Sequence, residues 1–150
     1  MHQSIYDKYG GYDTIYSAII NLYEEMCDHP EIGQHFIGVD IERLTQLQTQ
    51  FVSRALGADI EYKGRSMERA HAPLHITDFQ YDEISKCFSK IFVKHGFEPE
   101  DMKVIENLLF SLRKPIVTSK FNLLDFLFKP LYRFINYFED ILRSRGALDE

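Results

Sequence analysis

The 150-residue chain has 23 acidic and 17 basic residues, a formal net charge of −6, and 45% hydrophobic content. That length suits one domain able to bury roughly 68–70% of its unfolded surface without a disulfide or metal staple. The negative charge excludes nucleic acid as an expected partner, because binding a polyanion draws on a basic stripe that is missing here.

Cys27 and Cys87 have no CxxC or finger-like spacing and read as free thiols of a reducing compartment. The N-terminal MHQSIYDKYGG has no signal-peptide pattern and no apolar run reaches about 18 residues, so the expected location is cytoplasmic. Twelve Phe and nine Tyr, with no Trp, make a ring-rich interior. Flat aromatic walls suit a flat ligand and an ordinary core equally well.

After a first turn over residues 4–8, Gly10 and Gly11 form a corner and Asp13 is placed to cap a helix reaching about Met26. Ile15, Ala18, Ile19, Leu22 and Met26 recur at helical spacing as its apolar stripe, with Tyr23 on the inward edge. A turn-rich connector through Asp28, Pro30 and Gly33 ends in His35, Phe36 and Gly38. Asp40 then caps a helix over residues 41–56, with Leu44, Leu47, Phe51 and Ala55 as the expected buried face and Gln48 in its middle. An amide or phenol on an apolar face is unfavourable unless hydrogen-bonded, so Tyr23 and Gln48 stand out.

Gly57 ends that helix, and YKGRSMERAHAPLHITDFQY follows over residues 62–81. Its helical run, residues 66–72, is too short to be stable alone, and packing against a bound group is one candidate for what holds it. His71 lies on that run. A neutral imidazole is the commonest iron ligand and can take an axial position on haem; the plainer reading is a histidine that caps a turn. Thr77 and Gln80 form a capping box for a helix to about His95, burying Tyr81, Ile84, Cys87, Phe88, Ile91 and Phe92. Pro99 starts another, carrying Met102, Ile105, Leu108, Leu109, Leu112 and Ile116. With no convincing strand alternation, the expected class is all-α.

Residues 118–150 read as a C-terminal helical extension to a domain spanning 1–117. FNLLDFLF (121–128) is apolar on nearly all sides, and Leu131, Phe134, Ile135, Phe138 and Leu142 form a stripe after Pro130. Such a tail can dock on its own domain, pair with a second copy, or lie on a membrane surface, which leaves monomer and homodimer both open.

The glycine corner, Leu22-Tyr23, the FIGVD of residues 36–40, the Gln48 helix, Leu56-Gly57, YKGRSM and Ala70-His71 come in one order. In that order the chain resembles a truncated haemoglobin of the first group, a two-over-two helical globin, over roughly residues 4–117. The resemblance implies haem b, with His71 as the iron ligand, Phe36 stacking on the haem, and Tyr23 and Gln48 as the distal polar pair. It implies that Leu44, Leu47, Phe51, Tyr62, Met67, Ile76 and Tyr81 line the cofactor. His75 stands where members usually have glycine, and Pro73 follows His71 by two residues, so His75 is a competing imidazole. Leucine at both 44 and 47 leaves no distal histidine.

The mechanism expected is ligation through His71 with a sixth iron position for dioxygen, carbon monoxide or nitric oxide. Tyr23 would donate to the partly negative outer oxygen, and Gln48 would donate or orient the tyrosine. Arg43, Lys63, Arg65 and Arg69 are the cations available to the propionates. The resemblance suggests an oxygen binder that also oxidises nitric oxide to nitrate with an unidentified reductase. The alternatives are a haem-based sensor or membrane-associated protein with output through the tail, and a cofactor-free helical interaction domain.

Overall fold

The computed structural model describes residues 3–119, and the expected tail helices lie outside them. Six α-helices run in order: α1 (Ile5–Lys8), α2 (Tyr12–Asp28), α3 (Ile41–Ala55), α4 (Met67–His71), α5 (Asp78–Lys94) and α6 (Pro99–Ile116). Short 3-10 helices occupy Gly33–Phe36 and Ala72–Leu74. No strand occurs among the described residues. The helices pair two over two: α2 packs on α3, α5 packs on α6, and α2 against α5 joins the pairs.

The periodic stripe of α2 is buried as expected, Tyr23 included. Its cap is not Asp13, which sits inside the first turn. Gly11 occupies the N-cap at φ 75°, a backbone region that favours glycine. Asp40 does cap α3, accepting from the Arg43 N–H at 3.0 Å. Thr77 and Gln80 complete both bonds of the capping box on α5.

The expected buried face of α3 needs correction. The residues it buries are Thr45, Thr49, Val52 and Ser53. Leu44, Leu47, Gln48 and Phe51 are only half-buried, and Ala55 is exposed. Small residues let α3 lie close to α2, and the Thr45 and Thr49 hydroxyls donate back to the Ile41 and Thr45 carbonyls at 2.8 and 2.7 Å. The packed stripe is therefore polar by composition: its two threonines are satisfied, while the buried Ser53 hydroxyl has no partner among the described residues. In the larger apolar row, Leu44–Leu47–Gln48–Phe51 at i, i+3, i+4, i+7, Leu44 and Phe51 pack half-buried on the edge of the core.

Helix α4, five residues long, is held by protein. Ser66 caps it, accepting from the Arg69 N–H, it packs against α6, and Met67 joins Ile116, Leu112 and Val117 in an apolar cluster. The chain leaves it through Pro73 and reaches His75 at φ 51°, the sole non-glycine residue with positive φ among those described. Left-handed backbone disfavours a side chain by roughly 1–2 kcal/mol. His75→Val should thus lower stability, because a β-branched side chain fits that backbone worse than histidine, whereas His75→Gly should be neutral or slightly stabilising, relief of the side-chain cost being offset by about 0.5–1 kcal/mol of backbone freedom. Urea unfolding checks this, and a valine variant as stable as wild type would refute the left-handed loop.

Candidate functional site

The apolar core is divided in two. The larger cluster lies under α2, α3, α5 and α6 and has Phe36, Leu44 and Phe51 packed on it, with Tyr23 inside it. The smaller gathers Ile76, Tyr81 and Ile116, with Met67, Leu74, Leu112 and Val117 against it. Ile84 packs on both. Ile84 stands one turn after Tyr81, and sequence placed it on the buried face of its helix but not in the site.

Of the residues named from the resemblance, Tyr23, Phe36, Leu44 and Phe51 belong to the larger cluster and Met67, Ile76 and Tyr81 to the smaller, while His71, Leu47, Gln48 and Tyr62 are in neither. On the first, the Tyr23 and Phe36 rings meet edge to face at 5.6 Å. Phe51 meets Tyr62 in the same manner at 5.4 Å, which brings the 62–65 segment beside α3. Leu47 and Gln48 lie on the same row of α3 as Leu44 and Phe51.

His71 ends α4, half-buried. A carbonyl can only accept, so its Nδ1–H donates to the Met67 carbonyl at 2.8 Å. That bond fixes the tautomer and leaves the Nε2 lone pair bare. Burial lowers the pKa of the imidazole below 6.5, and the Met67 bond opposes the shift only in part. The side chain is neutral at pH 7, as a metal ligand must be. His75, the competing imidazole, is exposed.

The lowered pKa sets a pH dependence. The unfolded chain holds the His71 proton more tightly than the folded one, so the contribution is intact above about 6.5. It is lost as pH falls from there through the lower folded value. Urea unfolding of the haem-free protein should show this slope in wild type and not in His71→Gln.

Three tyrosines were expected in the site, and their hydroxyls differ. Tyr81 donates to the Leu109 carbonyl at 2.6 Å, with the Arg113 guanidinium 5.0 Å above its ring. Tyr62 donates to the Arg65 carbonyl at 3.0 Å. Tyr23 is 5% exposed and has no hydrogen-bond partner among the described residues. Burial drives its pKa well above the ordinary tyrosine value, with Cys27 and Tyr62 adding to the shift, so it stays protonated as a donor. Gln48, half-buried, has no partner either. Arg43, Lys63, Arg65 and Arg69 form no ion pair among the described residues, unlike Lys8, Lys86, Lys90, Lys103 and Arg113.

Two ring-bearing walls, a neutral imidazole with one bare nitrogen and an unpartnered buried phenol form a donor set that fits a flat, iron-bearing macrocycle. The chain matches the family model described as Bacterial-like globin over residues 4–118. It is 28% identical over 109 residues to a group 1 truncated hemoglobin of Tetrahymena pyriformis, covering 70% of this chain and 90% of that one. A group 1 truncated hemoglobin of Mycolicibacterium paratuberculosis is 25% identical over 117 residues, covering 78% and 86%. The Fe(III) structure of the Tetrahymena pyriformis protein superposes with a TM-score of 0.68 at 26% identity, covering 78% of this chain and all of that one. At 21% identity, the 2/2 hemoglobin of Synechococcus, in the cyanomet state with covalently attached heme, superposes with a TM-score of 0.72, covering 77% and 98%.

Proposed function

Because the chain belongs to the bacterial-like globin family, we propose that it is a truncated haemoglobin of the first group that binds dioxygen, carbon monoxide and nitric oxide on an iron held by His71. Its cofactor is haem b, the usual one of globins. The observation that carries the assignment of His71 is its Nδ1–H bond to the Met67 carbonyl, which leaves Nε2 as the ligating atom. Haem b held there would supply an iron able to bind a diatomic ligand on the Tyr23 side. Phe36 and Phe51 keep water from that side, and the Tyr23 hydroxyl, with no protein partner, donates to a polar ligand. Gln48 supports it from the facing helix. Leu44, Leu47, Tyr62, Met67, Ile76 and Tyr81 complete the lining. Oxidation of nitric oxide to nitrate, an unidentified reductase and a cytoplasmic setting belong to the same proposal; no described helix is long and apolar enough to cross a membrane.

Absorption spectra of the ferric, ferrous and carbonyl forms test the reading. One haem per chain and a carbonyl complex are expected. A colourless protein that takes up no added haem would leave a helical interaction domain instead.

One observation favours the sensor reading. The Thr118 and Ser119 N–H groups both donate to the Ile76 carbonyl, at 3.1 and 3.2 Å, so the chain enters residues 120–150 from a hold on the proximal loop. Ending the chain at Ser119 should leave dioxygen affinity unchanged in a carrier and alter it several-fold in a sensor.

A further inference from the structure

Gln80 is 3% exposed, one of four buried polar residues among those described. Its Oε1 accepts from the Thr77 N–H at 3.1 Å, and its backbone N–H donates to Thr77 Oγ1 at 3.2 Å. Those two bonds are the capping box and account for the residue as a helix start. They do not account for the third: Nε2 donates to the Glu31 carbonyl at 3.0 Å, across 49 positions of sequence.

The two ends of that third bond adjoin different clusters: Gln80 precedes Tyr81 of the smaller one, and Glu31 precedes Ile32 of the larger. Thr77 closes the loop that begins at His71 and includes Ile76, a core member of the proximal cluster. Glu31 stands at the head of the connector whose 3-10 helix, Gly33–Phe36, delivers Phe36 to Tyr23. Neighbouring Ile32 is fully buried in the distal cluster, so the connector cannot slide independently of that wall. The proximal loop is gripped from its other side by the α6 exit, through the Ile76 carbonyl. The amide therefore ties the start of α5, where the histidine-bearing loop ends, to the phenylalanine-bearing connector, beside the His29–Glu83 pair at 3.2 Å.

We propose that Gln80 is a positioning residue of the haem slot, its amide bond to the Glu31 carbonyl fixing the spacing between the proximal and distal walls. The proposal rests on the reading that haem b lies between those walls on His71. A capping glutamine needs only its acceptor oxygen; the buried donor bond across the site is what a spacing role adds.

The test compares wild type, Gln80→Met, Gln80→Asn and Thr77→Ala in the full chain. Gln80→Met keeps the volume and loses the amide. Gln80→Asn keeps an amide one methylene short of Glu31. Thr77→Ala weakens the cap and leaves the bond to Glu31 in place. Haem transfer to excess apomyoglobin, Soret circular dichroism of the loaded forms and urea unfolding of the haem-free forms are measured for each. Outer-shell groups that hold a metal ligand in place typically change affinity about 10- to 100-fold when removed. Haem loss should therefore quicken by about 10- to 100-fold in both Gln80 variants, with an altered Soret dichroism. Thr77→Ala should keep the wild-type spectrum and lose haem only as fast as its unfolding stability predicts. Haem loss that tracks unfolding stability across all three variants, with one Soret dichroism, would overturn the positioning role. A wild-type chain that takes up no haem would remove the His71 reading together with this one. A wild type that holds haem through His71, with unchanged kinetics in both Gln80 variants, would remove this one alone.

Discussion

His71→Ala is expected to abolish axial ligation of the haem, with the ferrous, ferric and carbonyl spectra all displaced from wild type and haem affinity reduced more than about 100-fold. Loss of an outer-shell partner alone changes metal affinity about 10- to 100-fold, and loss of the ligand itself must exceed that. The neutral Nε2 of His71 is pre-aimed: its partner nitrogen is bonded to the Met67 carbonyl at 2.8 Å, so little imidazole rotation remains to be frozen on binding. Alanine leaves a cleft the size of an imidazole on the proximal side, and added imidazole should restore much of the wild-type spectrum. His75→Ala serves as the control, because that side chain is exposed at the left-handed end of the loop. Its spectrum should match wild type. A haem spectrum that survives in His71→Ala and disappears in His75→Ala would transfer the ligand to His75.

The contrast between the two histidines also shows what could be read from sequence and what could not. The short helix that carries His71 was legible over residues 66–72, one residue longer at each end than the helix that forms, whereas the role of its histidine came only from the resemblance. The left-handed backbone at His75 was hinted at only by the expectation of glycine there. Helix α2 was legible residue by residue, because every position of its stripe packs on protein. Helix α3 was not. Its larger apolar side chains, Leu44, Leu47 and Phe51, mark the helix correctly but are only half-buried, and its fully buried face is a different one. Periodicity reports that a row of residues avoids water and is silent about whether protein or a cofactor covers it. The fully buried face, Thr45, Thr49, Val52 and Ser53, is disguised by its hydroxyls, of which those of Thr45 and Thr49 bond one turn back along the helix. Gln80 illustrates the remaining gap. Its cap was visible three residues from Thr77, but its bond to Glu31 depends on the tertiary meeting of two loops.

Tyr23→Phe is expected to speed dioxygen release by roughly 10- to 100-fold while leaving the haem-free fold nearly as stable as before. Tyr23 is 5% exposed as a residue, and its hydroxyl forms no hydrogen bond with the described residues. Removing its hydroxyl therefore breaks no protein hydrogen bond. A dioxygen ligand in the pocket, polarised toward negative charge, changes the balance, since a hydrogen bond to a charged acceptor contributes roughly 1.5–3 kcal/mol. Each 1.4 kcal/mol is about tenfold, which gives the expected range. Carbon monoxide, less polar when bound, should respond much less. Burial keeps the phenol protonated far above neutral pH, so the donor is present throughout the working range. Gln48→Leu should shift release in the same direction by a smaller factor, because its amide is only half-buried. Were Tyr23 instead a structural partner of Gln48, its replacement would lower stability and leave release alone. Stopped-flow dioxygen dissociation on wild type, Tyr23→Phe and Gln48→Leu, beside urea unfolding of the same three proteins, separates the two. Release rates within about twofold of one another, well under the roughly tenfold that 1.4 kcal/mol implies, would end the case for Tyr23 as the distal donor.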